Sequence, residues 1–294
     1  MRSGFVTLIG QPNVGKSSLL NRLVKEDIAI TSKKAQTTRD AILGIVRYDE
    51  DEIIFIDTPG IHKARTELGN NMNKEAYGQA EGADVILYMI DAKKGLTAKD
   101  SPIIKRLMKL DIPIFLVANK IDLVAKDQIA KLLMEATQYD FKELVPISVK
   151  DYDNLDELLK TITAYFHDDI KYYPDDMKTN VSYEFRAKEI IRQKVLEYCD
   201  EEVPHLVATS IDLVDIQDNK VFIEATIVCA KESHKAIIIG AKGKKLQAIN
   251  MSASKELKKL FGKKIYLSLF VKVKEDWMNK PGVLDDLGYG RYER

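Results

Sequence analysis

Gly10-Gln11-Pro12-Asn13-Val14-Gly15-Lys16-Ser17 decides the fold, because the apolar run Phe5-Val6-Thr7-Leu8-Ile9 precedes it and the helix-forming Ser18-Leu19-Leu20-Asn21-Arg22-Leu23 follows. The stretch fits G-x-x-x-x-G-K-[ST] between a strand and a helix, the context that such a phosphate loop requires. Its glycines let backbone amides turn inward around phosphate oxygens. The helix amino terminus adds its dipole. Lys16 is expected to reach the β- and γ-phosphates, and Ser17 to place its hydroxyl on Mg²⁺, a cation that takes oxygen ligands.

Working outward, strands alternate with helices through residue 165. Phe5–Gly10, Ile42–Tyr48, Ile53–Asp57, Val85–Asp91, Ile112–Asn119 and Leu144–Ser148 read as strands. Helical stretches lie near 16–25, 70–80, 99–110, 127–138 and 154–165. Several strands are continuous apolar runs, as expected where both faces of a mostly parallel sheet are covered. The alternation predicts a doubly wound α/β domain over residues 1–168. Residues 169–181 are polar, contain Pro174 and read as a linker. The next unit, 182–275, has the order α-β-β-α-α-β. It opens on a helix over 183–198 with Ala187, Ile191, Val195 and Tyr198 on one face. The tail, 276–294, has no clear period.

The base is chosen by Asn119-Lys120-Ile121-Asp122, directly after a strand. Guanine offers two donors on one edge, N1–H and the 2-amino group, and a carboxylate can accept both. Adenine would turn a lone pair towards Asp122, and a site built for a donor rejects an analogue lacking it. Asn119 is expected to bridge base and phosphate loop, while the stem of Lys120 covers the base plane. A metabolic P-loop kinase has no use for this tetrad. Asp57-Thr58-Pro59-Gly60 ends another strand: Asp57 would hold Mg²⁺ through water, and the Gly60 amide would bond the γ-phosphate. Lys33–Asp40 is a polar loop whose Thr37 and Thr38 offer hydroxyls to the same cation.

The whole chain is electrically neutral, with 45 basic and 45 acidic side chains, so its net charge selects no partner. Locally the picture differs: residues 231–274 hold 12 basic and 2 acidic side chains. Such a concentration is an electrostatic footprint for a polyanion. Within it, Gly240-Ala241-Lys242-Gly243 joins two helices, and a G-x-x-G loop clamps about four nucleotides. Lys242, Lys244 and Lys245 supply charge, and Lys231 and Lys235 flank the entry. The apolar run Ala236–Ile239 is expected to floor the groove. Two cysteines, Cys199 and Cys229, are too few for a disulfide framework and suggest a reducing compartment. No apolar run approaches the ~18 residues of a membrane span. The opening MRSGFVTLIG reads as a strand and not as a signal peptide. A cytoplasmic monomer is expected, with no DNA partner, although the lysine-rich surface leaves room for peripheral contact at the inner face of the membrane.

The set GQPNVGKS, QTTRD, DTPG, NKID and SVK resembles, in order, the Era branch of translation-factor-related small GTPases. The second half resembles that family's type II KH domain. A second phosphate loop and a surrounding helical domain, marks of two neighbouring families, are absent. The resemblance implies a GTP- and GDP-binding switch with a P-loop GTPase domain followed by an α+β KH domain, acting on the 3′ end of 16S ribosomal RNA in assembly of the 30S subunit. It implies Thr38 as the switch I magnesium ligand, and Ser148 with the Val149 amide against the guanine O6, beside Lys150. Val149 departs from the usual Ala. It also implies K⁺ beside the phosphates at Asn13. Many GTPases carry a water-orienting Gln after D-x-x-G. Here Ile61 stands there, so slow intrinsic hydrolysis is expected, supported by Lys16, Thr38, Asn13 and Gly60. His62 reads mainly as polar surface of switch II. A scaffold that binds RNA and holds GTP without turnover is the alternative.

Overall fold

Seven consecutive buried residues in β4 (Val85–Asp91) show why the first unit is layered: a strand with no polar face must be covered on both sides. In this computed structural model, which describes residues 1–32, 34, 37–200 and 202–290, it lies inside a six-stranded sheet. The order is β2-β3-β1-β4-β5-β6, with β1 (Ser3–Gly10), β2 (Ile42–Tyr48), β3 (Asp51–Asp57), β5 (Ile114–Asn119) and β6 (Glu143–Ile147). All neighbours are parallel except β2 and β3, which form a hairpin. Helices α1 (Lys16–Val24), α2 (Glu67–Glu81), α3 (Asp100–Leu107), α4 (Lys126–Ala136) and α5 (Leu155–Thr163) alternate with the strands. The carboxyl ends of β1, β3 and β5 fall at Gly10, Asp57 and Asn119, which gathers three loops on one edge of the sheet.

Most of the expected linker, 169–181, follows the open edge of this sheet. The Ile45 amide donates to the Lys178 carbonyl at 2.8 Å, and the Thr179 hydroxyl to the Leu43 carbonyl at 2.6 Å. Glu52, fully buried, accepts the amides of Tyr172 and Tyr173 at 3.0 and 3.1 Å and pairs with Arg47. The polar composition of the segment therefore serves edge pairing.

The chain divides into two compact units. The first comprises Met1–Ala29, Thr38–Lys63 and Met72–Asn180; the second comprises Ile30–Thr37, Ala64–Asn71 and the chain from Val181 onward. In the second unit a three-stranded sheet, β7-β8-β9 (Val207–Ile216, Lys220–Cys229, Lys264–Val273), pairs antiparallel and then parallel. Helices α6 (Tyr183–Tyr198), α7 (Glu232–Ile239) and α8 (Lys244–Phe261) complete the expected order. Ala187, Ile191 and Val195 of α6 meet Ile249, Ala253 and Leu257 of α8 over Val221, Ile223 and Ala225. Tyr198 corrects the sequence expectation. It is exposed, and Cys199 takes the core position because the backbone turns extended there (φ −110°, ψ 142°).

The described part of the tail packs inward. Trp277 is fully buried and donates its indole N–H to the Leu206 carbonyl at 3.1 Å. Helix α9 (Pro281–Asp286) places Leu284, Leu287 and Tyr289 in the interior. Both cysteines are free and buried. Among the described residues, no helix is long and apolar enough to cross a membrane. Trp277→Ala empties a large buried site and should lower stability by about 3–5 kcal/mol, as aromatic truncations in cores do. Urea denaturation of the full chain followed by circular dichroism would register the loss; an unchanged midpoint would show that the tail is dispensable for the fold.

Candidate nucleotide site and nucleic-acid loop

Three glycines shape the first loop and its surroundings. A Cβ on Gly10 would lie 2.3 Å from the Met89 carbonyl oxygen, and one on Gly15 (φ +107°) 2.2 Å from the Asn119 amide nitrogen. A Cβ on Gly60 would lie 2.8 Å from the Pro12 backbone, so the DTPG and phosphate loops approach more closely than any side chain permits. Asn13 turns the loop tip in a left-handed conformation (φ 66°), a role asparagine tolerates. Val14 is buried, and Ser18 lies half-buried in the first turn of α1. Gln11 donates to Thr97 at 3.0 Å and Asp100 at 2.8 Å, which ties the loop to α3.

Lys16 is buried, and its ammonium donates to the Gly10 and Gln11 carbonyls, each at 3.1 Å. Burial lowers its pKa to about 8, partly opposed by the Asp57 carboxylate. Asp57, with no exposed surface, is pushed up to about 6 by the same desolvation, against Lys16 and hydrogen bonds from Ser17 and Thr38. Ser17 Oγ donates to Asp57 Oδ2 at 2.5 Å and lies 2.8 Å from Thr38 Oγ1. The second Asp57 oxygen is buried with no hydrogen-bond partner among the described residues. Two hydroxyls and one under-satisfied carboxylate converging on a point suit Mg²⁺, which retains waters and phosphate oxygens and needs few protein ligands. Ser17 and Thr38 would hold it directly, with Asp57 behind a water. Thr37 does not share the site: its hydroxyl donates to the Lys34 carbonyl at 2.7 Å. Lys33, Ala35 and Gln36 lie outside the described residues.

Thr58 donates to the Leu8 carbonyl at 2.6 Å, anchoring the DTPG loop to β1, with Pro59 buried beside it. Ile61 is buried, and its amide donates to the Gly10 carbonyl at 3.1 Å. An apolar side chain there offers an attacking water nothing. His62 Nδ1 lies 3.0 Å from the Gly60 carbonyl oxygen, and Asn73 brackets its backbone on both sides, at 3.3 and 2.8 Å. These contacts give His62 a local structural role.

At the base end, Asn119 donates to the Val14 carbonyl at 2.9 Å and accepts the amides of Lys120 and Val149 at 2.8 and 3.2 Å. It joins the phosphate loop to both base loops. Lys120 (φ 69°) reaches back to the Asn13 carbonyl at 2.8 Å and pairs with Asp91 at 2.7 Å. Asp122 accepts from the Ser148 hydroxyl at 2.8 Å and faces Lys150 at 3.7 Å. Three partners escaped the sequence reading. Asp91 anchors Lys120, and Asp100, buried with Tyr88, whose hydroxyl lies 2.6 Å away, accepts from Gln11. Aspartates at a strand end and a helix start carry no motif, and only the fold makes them neighbours.

In the second unit, Gly240 (φ +72°) and Gly243 (φ +76°) bracket Ala241 and Lys242. A Cβ on Gly240 would meet Lys245 Cβ at 2.6 Å, while around Gly243 there is open space for a backbone to approach. Ala241, Lys242 and Lys244 are exposed, as is Lys231, and Lys235 and Lys245 are half-buried. The apolar run divides, which corrects the expectation of a continuous floor. Ile238 is fully buried in the core, Ile239 is half-buried, and Ala236 and Ile237 face outward. Helical geometry turns successive residues by about 100°, so four in a row cannot share one face.

Residues 5–120 match a family model described as a 50S ribosome-binding GTPase, and residues 202–278 match one described as a KH domain. Fold and site therefore define a P-loop GTPase joined to a KH domain. A crystal structure of Era in complex with MgGDPNP and nucleotides 1506–1542 of 16S ribosomal RNA is 39% identical, covering 99% of both chains with a TM-score of 0.95. A Tyr-to-Ala variant of Aquifex aeolicus Era bound to GDP·AlF₄⁻ is also 39% identical, covering 99% of this chain and 100% of that one with a TM-score of 0.94. With such identity running through both domains, the chain belongs to the Era family.

The phosphate site requires Asp57 ionised and Lys16 protonated. Asp57 sits at about 6 and Lys16 at about 8 in the free chain, so uptake of Mg·GDP should be strongest between those values. Below about 6 the carboxylate is neutral, and affinity falls up to roughly tenfold per pH unit as protons compete. Titrating a fluorescent GDP across pH 5–9 checks this. Asp57→Asn should lack the acid limb beyond the nucleotide's own titration; an unaltered acid limb would remove Asp57 from it.

Proposed function

We propose that this chain binds and hydrolyses GTP and uses its KH domain to hold the 3′ region of 16S ribosomal RNA during assembly of the 30S subunit. The observation that carries the GTP half is that Asn119 bonds the phosphate loop at Val14 while Asp122, three residues on, is held by Ser148. Asp122 supplies the two-acceptor edge that guanine needs, and Asn119 fixes its distance from Lys16. For the RNA half, support comes from the G-x-x-G loop with its cluster of lysines and from the relative crystallised with that RNA. We also place the chain in the cytoplasm as a monomer, with any membrane contact peripheral and electrostatic.

In the reaction, water attacks the γ-phosphoryl group and GDP leaves. Lys16 and the loop amides neutralise the charge that spreads over the phosphate oxygens. Ser17 and Thr38 would hold Mg²⁺, which would supply positive charge to offset the negative charge developing on the phosphate oxygens. Thr38 and the Gly60 amide hold the γ-phosphate side. Because Ile61 supplies no hydrogen bond to water, turnover is slow without help. Calorimetry with GTP and ATP, followed by phosphate release with and without a 16S 3′-end RNA, tests the reading. Guanine preference of several orders of magnitude and measurable release are expected. Equal uptake of ATP overturns the GTP half, and tight GTP binding without release leaves the RNA-binding scaffold. Gly243→Asp should abolish RNA binding and leave GTP affinity intact; equal loss of both would indicate misfolding.

A monovalent cation beside the phosphates would supply the missing electrostatics. Asn13, at the exposed tip of the phosphate loop, is the residue we assign to it. Turnover in K⁺ should exceed turnover in Na⁺ for the parent chain, and Asn13→Ala should bring the ratio near unity. A ratio that Asn13→Ala leaves unchanged removes K⁺ from Asn13.

A further inference from the structure

Helix α6 has two working faces. Ala187, Ile191 and Val195 enter the core, whereas Glu189, Arg192, Gln193 and Leu196, spaced by three, one and three, point roughly the opposite way. That second face holds the segment before Thr38. Arg192 is fully buried and donates to both Glu189 carboxylate oxygens along one guanidinium edge, from Nε at 2.9 Å and Nη2 at 2.5 Å. The same guanidinium donates to the Thr37 carbonyl. Gln193 donates to the Thr31 carbonyl at 3.2 Å. Lys34 donates to the carbonyls of Leu196, at 2.5 Å, and Cys199, where the last turn of α6 has no helical partners left to offer. Residues 31, 34 and 37 are therefore all anchored on one helix, and Ile30–Thr37 belongs to the same compact unit as α6.

Thr38, the next residue, belongs to the other unit, with its hydroxyl beside Ser17 and Asp57. One peptide unit thus separates a carbonyl fixed by a buried arginine from the hydroxyl that completes the magnesium set. A guanidinium suits this task because its planar fork satisfies both carboxylate oxygens and still has an N–H to spare. A buried charge that served only the core would be an expensive choice, since apolar residues fill such space at least as well.

We propose that Arg192, oriented by Glu189, is a positioning residue for GTP hydrolysis: it fixes the Thr37 carbonyl and so holds Thr38 at the magnesium site. Glu189, Arg192 and the Thr37 carbonyl all lie within one compact unit. This inference rests on the GTP-hydrolysing reading above. It concerns the GTP state alone, because GDP retention depends on Lys16, Asn119 and Asp122, which the pair does not touch.

The test uses the full chain and three readouts: single-turnover phosphate release, the Mg²⁺ concentration giving half-maximal binding of a fluorescent non-hydrolysable GTP analogue, and fluorescent GDP affinity. Arg192→Ala should lower the single-turnover rate tenfold or more. It should also raise the half-maximal Mg²⁺ several-fold and leave GDP affinity within twofold. Arg192→Lys should recover part of the loss. Should Arg192→Ala fail to fold, Lys34→Ala decides, because that side chain is partly exposed and fills no core space. It should lower turnover about threefold or more, with GDP affinity intact. A folded Arg192→Ala, or a Lys34→Ala standing in for it, with unaltered turnover and Mg²⁺ dependence overturns the proposal. So does a loss in which GDP and analogue affinities fall together, the mark of a merely structural role. A parent chain that hydrolyses no GTP fails the underlying reading instead.

Discussion

A carboxylate placed out of contact with water, at the end of a fully paired strand, is the constraint on which the phosphate site rests. Asp57 has no exposed surface, and one of its oxygens has no hydrogen-bond partner among the described residues. Burying a charge in this way is unfavourable unless an opposite charge is held close. The chain supplies one in Lys16, which burial destabilises in turn, and two hydroxyls in Ser17 and Thr38. Lys16, Ser17 and Thr38 all have hydrogen-bond partners, and the oxygen left over is Asp57 Oδ1. A nucleotide with its cation would satisfy that oxygen and offset the charges of Asp57 and Lys16 at once, which argues for a preference for the pair over either alone.

That preference requires loops from different parts of the chain to keep fixed distances. The parallel sheet does this by ending β1, β3 and β5 on the same edge, and hydrogen bonds between the loops then remove the remaining freedom. Asn119 bonds Val14, Lys120 bonds the Asn13 carbonyl, Thr58 bonds Leu8, and the Ile61 amide bonds Gly10. These bonds are made before any ligand arrives. The base pocket and phosphate cradle are therefore spaced by the protein, and binding energy need not be spent on bringing them together.

Most of this was legible in the sequence where function forces a residue type at a fixed interval. The phosphate loop, DTPG, NKID and the G-x-x-G tetrad each answer to a local backbone requirement, and each stands where the reading put it. The strands are equally plain, because β4 and β5 are apolar up to their last residues, Asp91 and Asn119. What escaped was long-range. Asp91 beside Lys120 is a pairing that no spacing rule encodes. Tyr198 and Cys199 exchanged places because a helix end is set by backbone dihedrals, which periodicity does not see. Ala236–Ile239 looked uniform as letters, but a helix cannot bury four consecutive side chains on one side. The tail has no clear period because, among the described residues, its buried anchors Trp277, Leu284, Leu287 and Tyr289 fall on a short turn, one short helix and the chain after it.

Arginine 192 illustrates the same limit most sharply. In the sequence it is one basic residue in a mixed helix, three positions after Glu189, and an i, i+3 ion pair on a solvated surface contributes a few tenths of a kcal/mol at most. Folding changes its meaning by removing water from both partners and bringing a third acceptor, the Thr37 carbonyl, to the same guanidinium. Once desolvated, the pair cannot relax independently of that carbonyl, because any movement that frees one acceptor leaves a buried donor unsatisfied. A weak surface contact thereby becomes a rigid strut. Its rigidity is passed to the neighbouring threonine through a planar peptide bond, the least deformable link the backbone has. Local charge patterns in a sequence understate such struts wherever the deciding partner is far along the chain.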